Sequence, residues 1–364
     1  QGAFVETMGE IEEIKRIPSS NGLTLQLTPV GGDIIEIKLN ENNEIISYRN
    51  PNVEQLDHSF FYSCHSLVEA DFPKLKTMKN SCFYQCPSLK KFSAPLLETM
   101  EDNCFYKNQL VEIDLPSLKD MLNSCFYYSP ILTKFSAPLL EKMGCCCLQK
   151  NQISELDLPS VISMKQECLL ESPSLTKLFA PLLQRLGKSC FKKNQLVEID
   201  LPSIIYMEDN CFHESPALRK FSAPKLEFMG RFCFEWKNQL VEVNSPKLQY
   251  MGMQCFYETS FLKKFYAPEL VDMEDYCFYK NQLVEADLPI LKRMGFSCFH
   301  ESPALKKFSA PELQKMGDLC LEKSQPDVVD LLDKFDEVKK KLASRNRKES
   351  NSTTETQPEN RGKV

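Results

Sequence analysis

Twelve prolines, at positions 73, 95, 116, 138, 159, 181, 202, 224, 246, 268, 289 and 311, recur every 21 or 22 residues with the same company each time. After each comes, in most rungs, a Leu or Ile (Leu75, Leu97, Leu118, Ile162), then Met (Met78, Met100, Met121, Met164), then Cys-Phe (Cys82-Phe83, Cys104-Phe105, Cys125-Phe126). A chain tied to that period cannot build an ordinary globular core. One unit of about 22 residues buries too little apolar surface to offset the entropy of ordering its own backbone, so each unit must cover the next, and the ends need caps.

Between Cys-Phe and Pro lies a short run that alternates apolar with polar, such as Leu110 to Pro116 (LVEIDLP) or Leu89 to Pro95 (LKKFSAP). The spacing L-x-x-(I/F)-x-(L/A) is that of the strand segment in a leucine-rich repeat, and it predicts one short parallel strand per rung. The expected fold is therefore a leucine-rich-repeat solenoid of the α/β horseshoe class, mostly β.

Rungs of two kinds alternate. One reads like CFYKNQLVEIDLP and the other like CFHESPALRKFSAP, and the one-residue difference falls in the turn, where Lys-Asn-Gln gives way to a longer Ser-Pro turn such as Ser215-Pro216. Both are turn chemistry.

The pattern predicts four segments. Residues 1–50, with strand-like stretches at Ile11–Ile17, Leu23–Leu27, Ile34–Leu39 and Ile45–Tyr48, form an N-terminal β cap. Residues 51–323 form the array, starting with a rung that carries Phe60 in the Cys position. Within 324–343, Val328, Leu331, Leu332, Phe335, Val338 and Leu342 recur at helical spacing after Pro326-Asp327, which predicts a capping helix. The polar segment 344–364 is expected to be disordered.

The run Met229-Gly230-Arg231-Phe232-Cys233-Phe234, followed by L-x-x-F and Pro, resembles the BspA-like leucine-rich repeats. The resemblance spans residues 51 to 323. It departs from the family pattern in two ways: Cys stands where the family usually has Ala, and the family's next Cys survives only as Cys64 and Cys86. The resemblance implies a binding or adhesive role at the surface of bacteria or protists. It carries over no catalytic residue.

Apolar residues make up 42% of the 364, charged residues 26%, and the net charge is −6, which gives no electrostatic footprint for nucleic acid. No stretch is long and apolar enough for a membrane helix. Gln1 follows either a removed signal or a fragment boundary. No catalytic, cofactor-binding or metal-binding motif is present. His213 and His300 share a repeat position four rungs apart, about 19 Å at ~4.8 Å per rung, too far to share a metal or a substrate.

Twelve cysteines (82, 104, 125, 147, 168, 190, 211, 233, 255, 277, 298 and 320) occupy one position, where a buried small hydrophobe is expected. CxxC and Cys/His ligand spacing is absent. A column of free thiols argues for a reducing setting, against the extracellular or surface location implied by the resemblance. Cys145 and Cys146 lie outside the column, where a redox or metal role is the alternative to an inert turn. Cys64 and Cys86, in adjacent rungs, are the candidate disulfide pair in an exported chain. The basic run Lys339 to Lys348 either complements the dipole of a helix opened by Asp327 and Asp330 or attracts polyanions.

At the third strand position Glu and Lys alternate from Glu69 to Lys307, so each carboxylate is expected between two ammonium groups. One rung breaks the rule. Pro224 to Pro246 is of the Lys-Asn-Gln kind yet spans 22 residues, and the extra residue brings Trp236, the only Trp in the chain. Nearby, Asn244 and Tyr266 replace the usual Asp and Ser, and Tyr257 and Phe261 lie in the next turn. These five are the candidate binding residues for a protein partner, because an inserted residue has no reserved core slot. The competing expectation is that Trp236 folds back and only seals the neighbouring turn. A self-associating array without a specific ligand is the alternative function.

Overall fold

A computed structural model describes residues 8–324, 326–340 and 344. The described chain is a β-solenoid. Four antiparallel strands, β1 (Ile11–Ser19), β2 (Gly22–Pro29), β3 (Ile35–Leu39) and β4 (Ile45–Arg49), form the N-terminal meander, and β4 then pairs in parallel with Glu69–Asp71. From there the chain winds in rungs.

Each rung carries two short strands where the sequence pattern predicts one. The expected strand, such as Glu112–Asp114, presents its outer residues to solvent and buries Ile113. Past the Leu115-Pro116 corner, a two-residue strand ends in the buried Met, as in Asp120–Met121. These Met strands form a continuous thirteen-stranded parallel sheet from Gln55–Leu56 to Lys315–Met316. Two residues are too few to show alternation, which is why the pattern hides them.

The first set of strands is discontinuous, and rung length says where. Within the repeats, steps of 22 residues, such as Glu112 to Lys134 or Glu198 to Lys220, keep the strands hydrogen-bonded. Steps of 21 residues, Lys91 to Glu112, Lys134 to Glu155, Lys177 to Glu198 and Lys264 to Glu285, break the ladder. The missing residue lies in the turn just before the strand, so that strand loses its pairing while the Met strand farther round the rung keeps it. The capping strand Val328–Leu331 pairs with Lys307–Ala310 although it too is a 21-residue step.

Between the two sheets the core is a set of columns. The Phe column stacks from Phe61 through Phe83 and Phe105 to Phe126 at 4.9 to 5.1 Å, yields to Leu148 and Leu169, and resumes from Phe191 to Phe299. That spacing is the rise of one rung. All twelve column cysteines are buried. Each thiol donates to a backbone carbonyl of the preceding rung at 2.8 to 3.4 Å, for example Cys168 to Gly144 and Cys255 to Gly230. Cys thus fills the slot of a small apolar residue and also hydrogen-bonds a backbone carbonyl of the rung before it. Cys64 and Cys86 are free thiols, and Cys86 donates to the Phe61 carbonyl at 3.0 Å.

The C-terminal cap differs from the expected helix. Val328, Leu331 and Leu332 have helical spacing, but Val328–Leu331 is a strand that covers the open edge of the preceding sheet. A 3-10 turn at Asp333–Phe335 and a helix over 336–340 follow. Asp327 and Asp330 therefore do not belong to that helix, whose ion pair is Lys339 with Asp336 at 3.5 Å. Leu342 and the polar segment from 345 onward lie outside the described residues.

Candidate partner-binding edge

The turns along one edge are held by a buried polar ladder. In the Lys-Asn-Gln rungs, Asn108 accepts from the Leu110 amide at 2.9 Å and donates to the Phe105 carbonyl and to Ser129 Oγ, both at 2.6 Å. Ser129 belongs to the next rung and donates in turn to Phe126 O at 2.7 Å. The same set recurs at Asn151 with Ser172 and Asn194 with Ser215, and Asn281 likewise donates to Ser302, whose own hydroxyl turns back to Phe278 O at 3.1 Å. Each Lys-Asn-Gln turn thus locks to the following Ser-Pro turn, the physical reason the two kinds alternate.

The Trp236 rung departs from that template. Six residues lie between Cys233 and Leu240, against five between Cys104 and Leu110. Lys107, Lys193 and Lys280 are left-handed in the ordinary turns, and here Trp236 (φ 69°) and Lys237 (φ 57°) are both left-handed. Asn238 still bridges Phe234 O and the Leu240 amide, but the next rung offers Thr259 in place of Ser. The insertion pushes the indole outward, to 51% exposed.

Trp236 stands between two grooves. One, of about 620 Å³, is lined by Pro173, Gln195, His213, Glu214, Pro216 and Glu235, with Lys193 and Lys237 at its sides. The other, of about 640 Å³, lies toward Glu258, Phe261 and Lys280. The floor of the first groove is titratable. His213 has Nε2 3.3 Å from Glu214 and Nδ1 3.4 Å from Glu235, the latter without hydrogen-bond geometry. Burial, and then the neighbouring Lys192, push the imidazole below its ordinary range, against the pull of Glu214. Burial raises the Glu235 carboxyl, opposed by a hydrogen bond from the Trp236 indole. The indole is half exposed and lines both grooves.

The five sequence-predicted residues do not form one cluster. Phe261, 56% exposed, shares the second groove with Trp236. Asn244 and Tyr266 are register partners on the sheet face. Tyr257 is half-buried and stacks on Tyr279 at 4.9 Å.

Sequence reasoning missed Phe179, 55% exposed, in a sheet-face groove of about 780 Å³ at the ladder break between Lys177–Phe179 and Glu198–Asp200. The available signal was Leu178-Phe179 in place of the usual Phe-Ser. Tyr276, Phe296 and Leu319, exposed near the last rungs, were missed as well; Asn103, Asn123 and Ser124 hold corresponding positions earlier in the array. Among the described residues there is no group of three or more side chains suited to a metal, and no helix long and apolar enough to cross a membrane.

Stacked rungs of this length and pattern define a leucine-rich-repeat solenoid. The chain belongs to the BspA type leucine rich repeat family, whose model matches in six copies over residues 38–133, 119–240 and 227–348. Among solved structures it is similar to a leucine-rich repeat protein from Bacteroides ovatus, with TM-score 0.51 and 14% identity over 86% of this chain and 91% of that one. A leucine rich cell surface protein from Faecalibacterium prausnitzii aligns with TM-score 0.35 and 12% identity over 88% and 95% of the two chains. None of the curated proteins compared matches the chain.

Proposed function

We propose that the chain is a non-enzymatic scaffold that binds a protein partner at a cell surface, through the turn edge around Trp236 and Phe261. The observation that carries this is the half-exposed indole on the single lengthened Lys-Asn-Gln turn. The other such turns close without it, so folding does not require it, and exposed aromatics of this kind are typical interface hot spots. The surface location follows the family resemblance. Asn244, Tyr266 and Tyr257 are flanking contacts.

The test is binding of the full chain to a panel of purified cell-surface proteins. Trp236→Ala should weaken the captured partner about thirty-fold or more, equivalent to ~2 kcal/mol, while unfolding stays unchanged. Several kcal/mol of destabilisation with affinity intact would overturn the assignment.

Self-association is a second reading, favoured by exposed Tyr276, Phe296 and Leu319 at one end of the array. Light scattering coupled to size exclusion separates it: a monomer at all concentrations removes it.

A further inference from the structure

We infer that the Trp236 groove recognises a neutral saccharide, so that the partner is held at this edge through its glycan. The inference rests on the reading that Trp236 is a contact residue.

Four observations lead there. First, the indole is half exposed and lines both grooves, so the ring is presented to a ligand lying along this edge. The C–H face of a pyranose is apolar and weakly positive, and it matches the negative face of an aromatic ring. Second, the residues beside that plane bring side-chain acceptors and donors together at short range, with His213 Nε2 3.3 Å from Glu214 and Nδ1 3.4 Å from Glu235.

Third, the charges around the groove cancel: Lys193 and Lys237 against Glu214 and Glu235. Lys193 is also paired with Glu171 at 3.7 Å. Balanced charge suits neither a phosphate nor a polycation and leaves a polar, uncharged ligand. Fourth, the backbone along this edge is committed. Lys193 N donates to His213 O at 3.0 Å and Glu214 N to Glu235 O at 3.5 Å, so the turns offer no free strand edge to a peptide. Recognition falls to carboxylate, imidazole and amide side chains around an aromatic plane. Each groove lies within the size range of ligand pockets, and together they let a short oligosaccharide cross Trp236 toward Phe261.

Trp236 is the only Trp, so intrinsic fluorescence reads this groove directly. The full chain is titrated with neutral oligosaccharides of glucose, mannose, galactose and N-acetylglucosamine, and with a proline-rich peptide. The expected result is a saturable spectral change and protection from acrylamide quenching with at least one sugar. By calorimetry, Trp236→Phe should retain binding of that sugar. His213→Ala and Glu235→Gln should each weaken it about tenfold, as loss of one hydrogen bond to the ligand implies, with urea unfolding confirming that the variants fold. Saturation by the peptide with no response to any sugar overturns the inference. So does silence toward all probes. If the sugars fail while Trp236→Ala still weakens the protein partner, the inference falls and the proposed function stands. If a sugar binds but enzymatic deglycosylation of the partner leaves its affinity unchanged, the glycan is not the bridge and the inference falls.

Discussion

Lys220 stands opposite Glu242 in the sheet, and among the described repeats this is the single Lys-to-Glu step across which the strand ladder continues. The corresponding steps at Lys91, Lys134, Lys177 and Lys264 coincide with breaks. The extra residue at Trp236 is what lengthens this step to 22 residues.

Deleting Trp236 should therefore open the ladder. Amide exchange in Lys220–Ser222 and Glu242–Asn244 should rise to the level of Lys177–Phe179 and Glu198–Asp200, with exchange in the Met strands little changed. Unaltered exchange in both strands would separate rung length from strand pairing.

The breaks also revise the charge column. Glu198 is in register with Lys220 but not with Lys177, whereas Glu242 is in register with both Lys220 and Lys264. Ion pairs close at Glu155–Lys177 (2.6 Å) and Glu112–Lys134 (4.0 Å), all largely exposed. Glu242→Lys should destabilise more than Glu198→Lys, each by no more than about 1 kcal/mol per like-charge contact, and salt should shrink the difference. Equal effects at low salt would refute the register argument.

The buried Asn ladder is the stronger lock. Asn108→Ala strands the Leu110 amide, the Phe105 carbonyl and Ser129, which should cost about 3 kcal/mol in denaturant unfolding. Asn238→Ala should cost about 1 kcal/mol less, since Asn238 has no Ser partner in the next rung. A larger loss at Asn238 than at Asn108 would contradict the ladder's role.

Thiol labelling distinguishes the column from the loose cysteines. Burial, reinforced by neighbouring thiols, pushes Cys125, Cys168, Cys211 and Cys255 well above the ordinary thiol range. Cys146, though partly exposed, is pushed up to about 12 by burial and by Glu167. Cys145 should therefore label first in the folded protein, Cys146 only slowly, and the twelve column thiols only on unfolding. Rapid native labelling of most of the column would remove it from the core.

Stability should fall in mild acid partly through His213. Its folded value lies below the ordinary 6.5, so from about pH 6.5 downward the unfolded chain takes up the proton first, and stability drops until the folded value is passed. His213→Gln, which copies Gln149 at the same repeat position, should flatten that part of the profile. Glu235 acts in the opposite sense: its raised value means that stability falls as pH climbs from its ordinary 4.5 through the folded value. An unchanged profile in His213→Gln would assign the acid sensitivity elsewhere.

Much of this architecture was legible because every rung repeats the same instruction: Pro at the corner, Met and Cys-Phe inward, a short alternating strand. What escaped had no periodic signature. The Met strands are two residues long, and Val328, Leu331 and Leu332 fit a helix until pairing with Lys307–Ala310 overrides local preference. Trp236 was visible because it changes a length, whereas Phe179 changes only an identity and passes unnoticed. The split of Asn244 and Tyr266 from Trp236 was hidden because nearness in sequence does not say which side of the rung a residue occupies.

The interlock of Asn and Ser turns gives the array a parity. Removing one rung would set Asn beside Asn or Ser beside Ser, and Glu beside Glu or Lys beside Lys, at the seam. Gain or loss of two rungs together, a segment of 43 residues in most of the chain, leaves every seam matched. Unequal recombination in the gene can thus lengthen or shorten this protein cheaply only in even steps, and a single-rung duplication carries a folding defect at its joint.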